Sequence, residues 1–401
     1  MMNSSRLWVF GILAVLMPIK SFSIDLIQAY NLALANDPAY RSAIKELEAG
    51  QANREIGRAG LLPQVSANYY QAANSAAVSQ PYTPANTQQY ASTNSGIQLT
   101  QALVSFSALA AYRQGNSLAD AAQAKFVHDG QELLVRTLQA YTDLLNSQEQ
   151  LEFYVAQLRA YQGQLVTNER KYAAGEGTVT EVLELRSQAE LAEVQILEAR
   201  SAINLNRRKL EAIIGQEISS EIKGLHKNFR VTPLPNTDLN FWKGSTIALN
   251  QEIKVSRLNE NVANEELEKN KGLDYPVVNV VAGYTNQNSA YTNSINTAAQ
   301  GWSIGLQATW ALTNGGQTTG LINQSSSKFE KSKADTEVVR ARVLTELQKQ
   351  YDLVAMSQQK ITALQRAVST SEHLALAIRK SVVGGERISA DIVLAEKILS
   401  A

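Results

Sequence analysis

Residues 171–182, KYAAGEGTVTEV, set two glycines beside an acid. Backbone N–H groups in such a loop can cradle a phosphate. The context excludes that chemistry. Gly175-Glu176-Gly177 lacks the later glycine of a dinucleotide loop and the Lys-Ser/Thr pair of a nucleotide loop, and it follows a helical pattern, not a strand. Glycines followed by Thr178 and Thr180 can instead end one helix and cap the next. A second stretch, SVVGGERISADIV at 381–393, repeats the plan with Gly384 and Gly385. The three histidines, His128, His226 and His373, are scattered, with neither metal-ligand nor nucleophile–base spacing. Acids along the helical stretches read as solvated faces. The sequence therefore reads as a non-enzyme with no metal site and no cofactor.

Bulk composition narrows the partners. The 401 residues hold 37 basic and 37 acidic side chains, so no net charge draws the chain to nucleic acid. The absence of cysteine excludes disulfides, thiolate metal sites and a Cys-linked lipid anchor. Residues 1–23 predict a secretory signal peptide: Arg6 supplies the charge, Leu7 to Met17 the apolar core, and Ser21-Phe22-Ser23 a small-x-small cleavage site. The mature chain is expected to begin near Ile24, outside the cytoplasm. No later run of 18 apolar residues predicts a membrane-spanning helix.

The two glycine turns belong to a duplication. A shift of 210 positions pairs Tyr141 with Tyr351, Ser147-Gln148 with Ser357-Gln358, Gly175 with Gly385 and Glu181 with Asp391. Upstream the offset drifts: Gly96 meets Gly305 and Pro63 meets Pro276. Each half reads as helix, two strands, long helix, turn, helix. The first repeat, 24–214, has helical stretches at 25–60, 105–172 and 179–214, with strands at about 64–72 and 95–104. An inter-repeat segment follows at 215–245. The second repeat, 246–401, has helices at 246–271, 317–382 and 389–401 and strands at about 277–286 and 301–312. Proline placement agrees: Pro38 starts a helix, Pro63 and Pro276 end helices, and none occurs from 85 to 232 or after 276.

The long helices carry a sustained three–four spacing, as in Val182, Leu185, Ala189, Ala192, Ile196, Ala199 and Ile203, or Val343, Leu347, Val354, Ile361, Leu364 and Val368. Such seams pack helices side by side over great length. Residues 105–172 would extend about 100 Å at 1.5 Å per residue, and 25–60 and 179–214 about 54 Å each. A tall cylinder follows from these lengths more naturally than a globule, although periodicity alone also fits an ordinary bundle.

The strands alternate. Trp302, Ile304, Leu306, Ala308, Trp310 and Leu312 interleave with Ser303, Gly305, Gln307, Thr309 and Ala311; Val278, Val280, Ala282 and Tyr284 behave alike, and Val65, Ala67, Tyr69, Ile97, Leu99 and Leu103 less cleanly. Amide- and hydroxyl-rich stretches at 71–95 and 286–300 read as loops. Period two fits a half-buried sheet in a soluble domain, or a transmembrane barrel with an apolar exterior. The export signal and the girdle-like placing of Trp302 and Trp310, about 27 Å apart along a strand, favour the barrel, with Trp302, Ile304, Leu306 and Trp310 facing lipid. Four strands cannot stand alone in lipid, so several chains must share one barrel, two giving eight strands and three giving twelve.

The duplication, together with ALANDPAY (33–40), LLPQVSANY (61–69), LTQALVSFS (99–107), WALTNGGQ (310–317) and the two turns, resembles the TolC family of outer-membrane factors over nearly the whole mature chain. The fold class that follows is mainly α with a transmembrane β part. The resemblance implies a homotrimer with a 12-stranded barrel in the outer-membrane lipid, continued by an α-helical barrel in the periplasm and belted by an equatorial domain around 215–245. It implies passive conduction in a tripartite efflux or type I secretion system. The partners would be a periplasmic adaptor and an inner-membrane ABC or other transporter. It also implies that the glycine turns form the periplasmic tip. There Arg387 matches the family's gating arginine, Glu181 the acid it contacts, and Asp391 the first aspartate of a cation-selecting ring. The second ring position falls on Leu394 and the gating tyrosine on Val382, which weakens both devices.

The closing helix from near Ser389 stops at Ala401, more than twenty residues short of its first-half counterpart. This predicts a C-terminal truncation, with a non-functional fragment as one alternative. A structural trimeric coiled-coil surface protein is the other, although a filament would lack paired alternating strands and two matched tip hairpins.

Overall fold

The computed structural model describes residues 24–78, 86–219, 222–225, 229, 231–290 and 295–383. The expected signal peptide and closing helix lie outside them, as do Gly384, Gly385, Arg387 and Asp391. The elements are α1 (Leu26–Asn36), α2 (Pro38–Ala59), β1 (Gln64–Val78), β2 (Asn86–Val104), α3 (Phe106–Ala173), α4 (Val179–Ile214), α5 (Leu239–Leu249), α6 (Gln251–Lys271), β3 (Val277–Asn288), β4 (Ala298–Thr309) and α7 (Gln317–Val383).

The duplication is visible in the backbone. Each half opens with an 11-residue helix, α1 or α5, broken at one residue before a longer helix. The continuous stretch expected over 25–60 is split because Pro38 lacks an N–H and pushes Asp37 to ψ 121°, out of the helical region. The second half breaks at Asn250, whose side chain caps α6 by accepting from the Ile253 N–H at 3.0 Å. Helix α5 thus starts seven residues earlier than the expected helix at 246, with Asp238 as its N-cap.

The chain forms two compact units. One comprises residues up to Pro38, Leu133–Arg230, and those from Gln365 onward. Its core joins Ala29 of α1, Ala140, Tyr141 and Leu144 of α3, Ile203, Leu210 and Ile214 of α4, and Ile218 and Ile222 of the inter-repeat segment. The α4 seam read from sequence is buried at Val182, Ala189, Ala192, Ile196, Ala199 and Ile203, while Leu185 packs half-buried beside Tyr161. Asp37 is buried and paired with Arg136 at 3.3 Å.

The other unit comprises Ala39–Glu132 and Val231–Leu364. Its strands form one antiparallel sheet in the order β1-β2-β3-β4. Beside it, α2 and α3 touch through Gly50, Gly57, Gly115 and Ala122. Helix α6 joins α3 through Arg113–Glu265 at 2.9 Å and Gln114–Glu266 at 2.7 Å, and joins α7 through Arg342–Glu252 and the Ser256–Thr336 hydroxyls at 3.0 Å. On α7 only Val343 of its expected seam is buried; Val354, Ile361, Leu364 and Val368 are exposed, and the helix expected to cover them lies outside the described residues.

Candidate functional site

Through its inner half the sheet separates its side chains by face. In register, Ala67, Ile97, Tyr284 and Trp302 form one cross-strand row, and Val65, Leu99, Ala282 and Ile304 the next; Val280 opposite Leu306 continues the same face. The other face carries Ser66, Gln98, Gly283 and Ser303, then Asn68, Gly96, Thr285 and Gly301. The apolar residues are not a hidden core: Trp302, Ile304 and Leu306 are 78, 68 and 73 % exposed. An apolar patch left open over several cross-strand rows marks a surface that meets lipid or another chain.

Three of the four residues expected to face lipid thus share one face. Trp310 lies one residue past the end of β4, where its indole Nε1–H donates to the Asp274 carbonyl at 3.0 Å. Leu103, read as part of the β2 alternation, falls at a bulge between Ala102 and Val104. Gln101 ties the foot of β2 to the Leu61 carbonyl at 2.7 Å. Strands β1 and β2 pair from Gln64–Thr100 to Val78–Asn86, well beyond the expected ends at 72 and 95.

The turn after α3 is a helix stop and a helix start. Gly175 adopts φ +81°, the Glu176 N–H donates to the Lys171 carbonyl at 2.9 Å and the Gly175 N–H to that of Tyr172 at 3.0 Å. That pair of bonds is a Schellman stop. Thr178 then caps α4, its hydroxyl accepting from the Glu181 N–H at 3.3 Å. Glu181 is exposed in the first turn, where a helix N-terminus favours a carboxylate. Arg186 pairs with Glu169 at 3.0 Å across the two helices. Arg387 and Asp391 lie outside the described residues, so no gate geometry accompanies Glu181.

Two features escaped the sequence reading. Tyr141 donates to the carbonyls of Lys223 at 2.6 Å and Ile24 at 3.2 Å, and Tyr351 to that of Thr237 at 2.6 Å. The duplication had paired these tyrosines, and that pairing was the one available signal. Burial, with the Asp25 charge adding to it, raises the Tyr141 phenol, against the lowering effect of its bond to Lys223. The second feature is Glu266. Burial opposes its charge, yet hydrogen bonds from Lys269 and Gln114 hold its carboxyl below the usual range.

The chain thus combines long helices with a buried seam on α4, a sheet with an exposed apolar patch and a capped helical turn. The family model described as outer membrane efflux protein matches residues 29–216 and 242–397. The chain is 33% identical over 396 residues to the alkaline protease secretion protein AprF of Pseudomonas aeruginosa, covering 98% of this chain and 82% of that protein. It is also 33% identical over 386 residues to the proteases secretion protein PrtF of Dickeya chrysanthemi, covering 94% and 82%. The solved Campylobacter jejuni CmeC outer membrane channel superposes with a TM-score of 0.79 at 15% identity, over 94% of this chain and 80% of that one. The chain belongs to the outer membrane efflux protein family. Its fold is of the TolC type, it resides in the outer membrane and extends into the periplasm, and it serves as an outer-membrane exit duct.

Proposed function

We propose that three copies of this chain close a shared 12-stranded barrel and pass a polypeptide cargo in a type I secretion system. The duct is passive. A periplasmic adaptor couples it to an inner-membrane transporter that supplies the energy. The observation that carries this reading is the pair of open edges on a two-faced sheet: among the described residues, β1 and β4 each have only one strand partner. Unpaired strand edges are not tolerated in hydrocarbon, so β4 of one copy pairs with β1 of the next. Two copies would give eight strands, whose interior side chains fill. Three leave a bore. Trp302, Ile304, Leu306 and Trp310 then face lipid. AprF and PrtF are by name secretion proteins for proteases, which supports polypeptide cargo over small drugs.

The gate is assigned to Glu181, Arg387 and Asp391, with Gly175, Gly177, Gly384 and Gly385 at the tip turns. The matched positions of the two turns in the duplication support this assignment. Planar-bilayer recording tests the duct: discrete, long-lived conductance steps are expected, and a protein that inserts without conducting contradicts the reading.

A further inference from the structure

The whole sheet and its flanks are free of charge. From Arg58 to Arg113, and again from Asp274 to Lys328, the intervening sequence holds no Asp, Glu, Lys, Arg or His; all 37 acids and 37 bases lie elsewhere. Lipid explains this for the apolar face only. The lumen face of a barrel tolerates charge, and charges there tune selectivity. The polar face nevertheless carries only uncharged side chains, Ser, Thr, Asn, Gln and small or apolar residues as in the row Gln64, Thr100, Val281 and Gly305, with Tyr70 and Tyr90 toward the outer end.

Away from Tyr70 and Tyr90 it is also low in relief. The four glycines of the paired strands, Gly96, Gly283, Gly301 and Gly305, all fall on that face and none on the apolar one. A Cβ on Gly96 would come within 2.9 Å of the Tyr284 carbonyl oxygen and 3.2 Å of Asn68 Oδ1, so that position is closely packed. Gly301 and Gly305 have open space, so glycine there leaves bare backbone facing the bore. Glycine weakens a strand and removes side-chain relief.

We propose that this face is a neutral wall for unfolded polypeptide of either charge. Amides and hydroxyls exchange hydrogen bonds with a passing main chain much as water does. No fixed charge is present to hold a Lys, Arg, Asp or Glu side chain of the cargo. Discrimination by charge therefore lies elsewhere in the duct, and the β-walled passage contributes none. The inference rests on the shared-barrel duct proposed above and names the cargo property that its outer passage serves.

The test is block of single channels by oligolysine and by oligoglutamate, added to the compartment facing the strand hairpins. An Asp391→Ala background removes the proposed acidic ring at the other end. With the native sheet, the two peptides should have block times within tenfold of each other. Ser303→Asp should lengthen oligolysine block more than tenfold and Ser303→Lys should do so for oligoglutamate. Gly305→Asp and Gly305→Lys, at a position with room for a side chain, repeat the test should the Ser303 variants fail to assemble. The inference is overturned if the native sheet holds one peptide more than tenfold longer than the other. It is equally overturned if assembled, conducting variants leave both block times at the native values. A native protein that inserts but never conducts removes the duct reading first, and this inference with it.

Discussion

Gly57 of α2 and Gly115 of α3 meet backbone to backbone. A Cβ on Gly57 would lie 2.7 Å from the Ala111 carbonyl oxygen and 3.2 Å from the Gly115 Cα, and one on Gly115 would lie 2.3 Å from the Asn53 carbonyl oxygen. Backbone atoms cannot swing aside as a side-chain end can. Overpacking of this kind costs about 1–3 kcal/mol. Gly115→Ala should therefore lower the denaturant midpoint of the folded protein. Gly163→Ala, in the same helix with nothing within 4 Å, should raise stability by roughly 0.5–1 kcal/mol through helix propensity. Equal effects of the two substitutions in a urea titration would contradict the contact.

The paired tyrosines give a second expectation. Tyr141→Phe should release the Lys223 carbonyl, and Tyr351→Phe that of Thr237, each costing about 0.5–1.5 kcal/mol as a lost hydrogen bond. Amide exchange should accelerate near the released carbonyl in each variant and leave the other site unchanged. The raised Tyr141 phenol sets a pH dependence. Its contribution is complete below the ordinary tyrosine pKa and is lost as pH rises through the elevated one, so protection near Lys223 should fall only in strong alkali. Protection that falls at neutral pH would point to a different titrating group.

Glu266 sets the opposite slope. Its carboxyl is held below the usual range, so its contribution is complete above that range and is lost as pH falls through the depressed value. Glu266→Gln should flatten the acid limb of the stability profile for the α3–α6 contact. An unchanged limb in acid-titrated circular dichroism would remove Glu266 from it.

The two faces of β4 should respond differently to the same residue. On the proposed lipid-facing assignment of Leu306, Leu306→Arg should weaken assembly by about 2–4 kcal/mol, the cost of an arginine near the bilayer midplane. Gln307→Arg, one position along on the polar face, should assemble normally. Detergent-resistant oligomer on unheated gels reads the difference, and a reversed order would mean that the faces are exchanged.

How much of this was legible in the sequence depended on where a polarity signal survived. The α4 seam and the rows through Trp302 and Ile304 could be read because apolar residues recur at the period of their element. The outer halves of β1 and β2 could not. Apart from Tyr90, stretches such as AANSAAV and NTQQYAST place small, hydroxyl or amide side chains on both faces, so no alternation marks them as strand, and only cross-strand pairing lengthens them. The breaks at Asp37 and Asn250 are local capping events inside otherwise helical patterns. For α2 and α3 the close approach hid in glycines that read as helix weakeners; Gly50 and Gly57 recur seven apart, as do Ala108, Gly115 and Ala122, a spacing that became informative once both helices were seen together. In the candidate site, the turn chemistry around Gly175 and Thr178 was plain from residue types, whereas the carbonyl partners of Tyr141 and Tyr351 are too distant in sequence for any local pattern to supply.

For the proposed gate, Arg387→Glu should set like charges against Glu181 and raise single-channel conductance. Asp391→Ala should reduce cation preference and block by multivalent cations. Unchanged conductance and selectivity in both variants would remove these residues from the gate.

The central claim is that copies of this chain complete one another's sheet in the membrane. Native mass spectrometry of the protein released from detergent micelles measures it directly. The expected result is a single assembly of three chains that persists after the detergent is stripped and that Leu306→Arg weakens. A stable, folded monomer, with the edges of β1 and β4 left open in detergent, would contradict it.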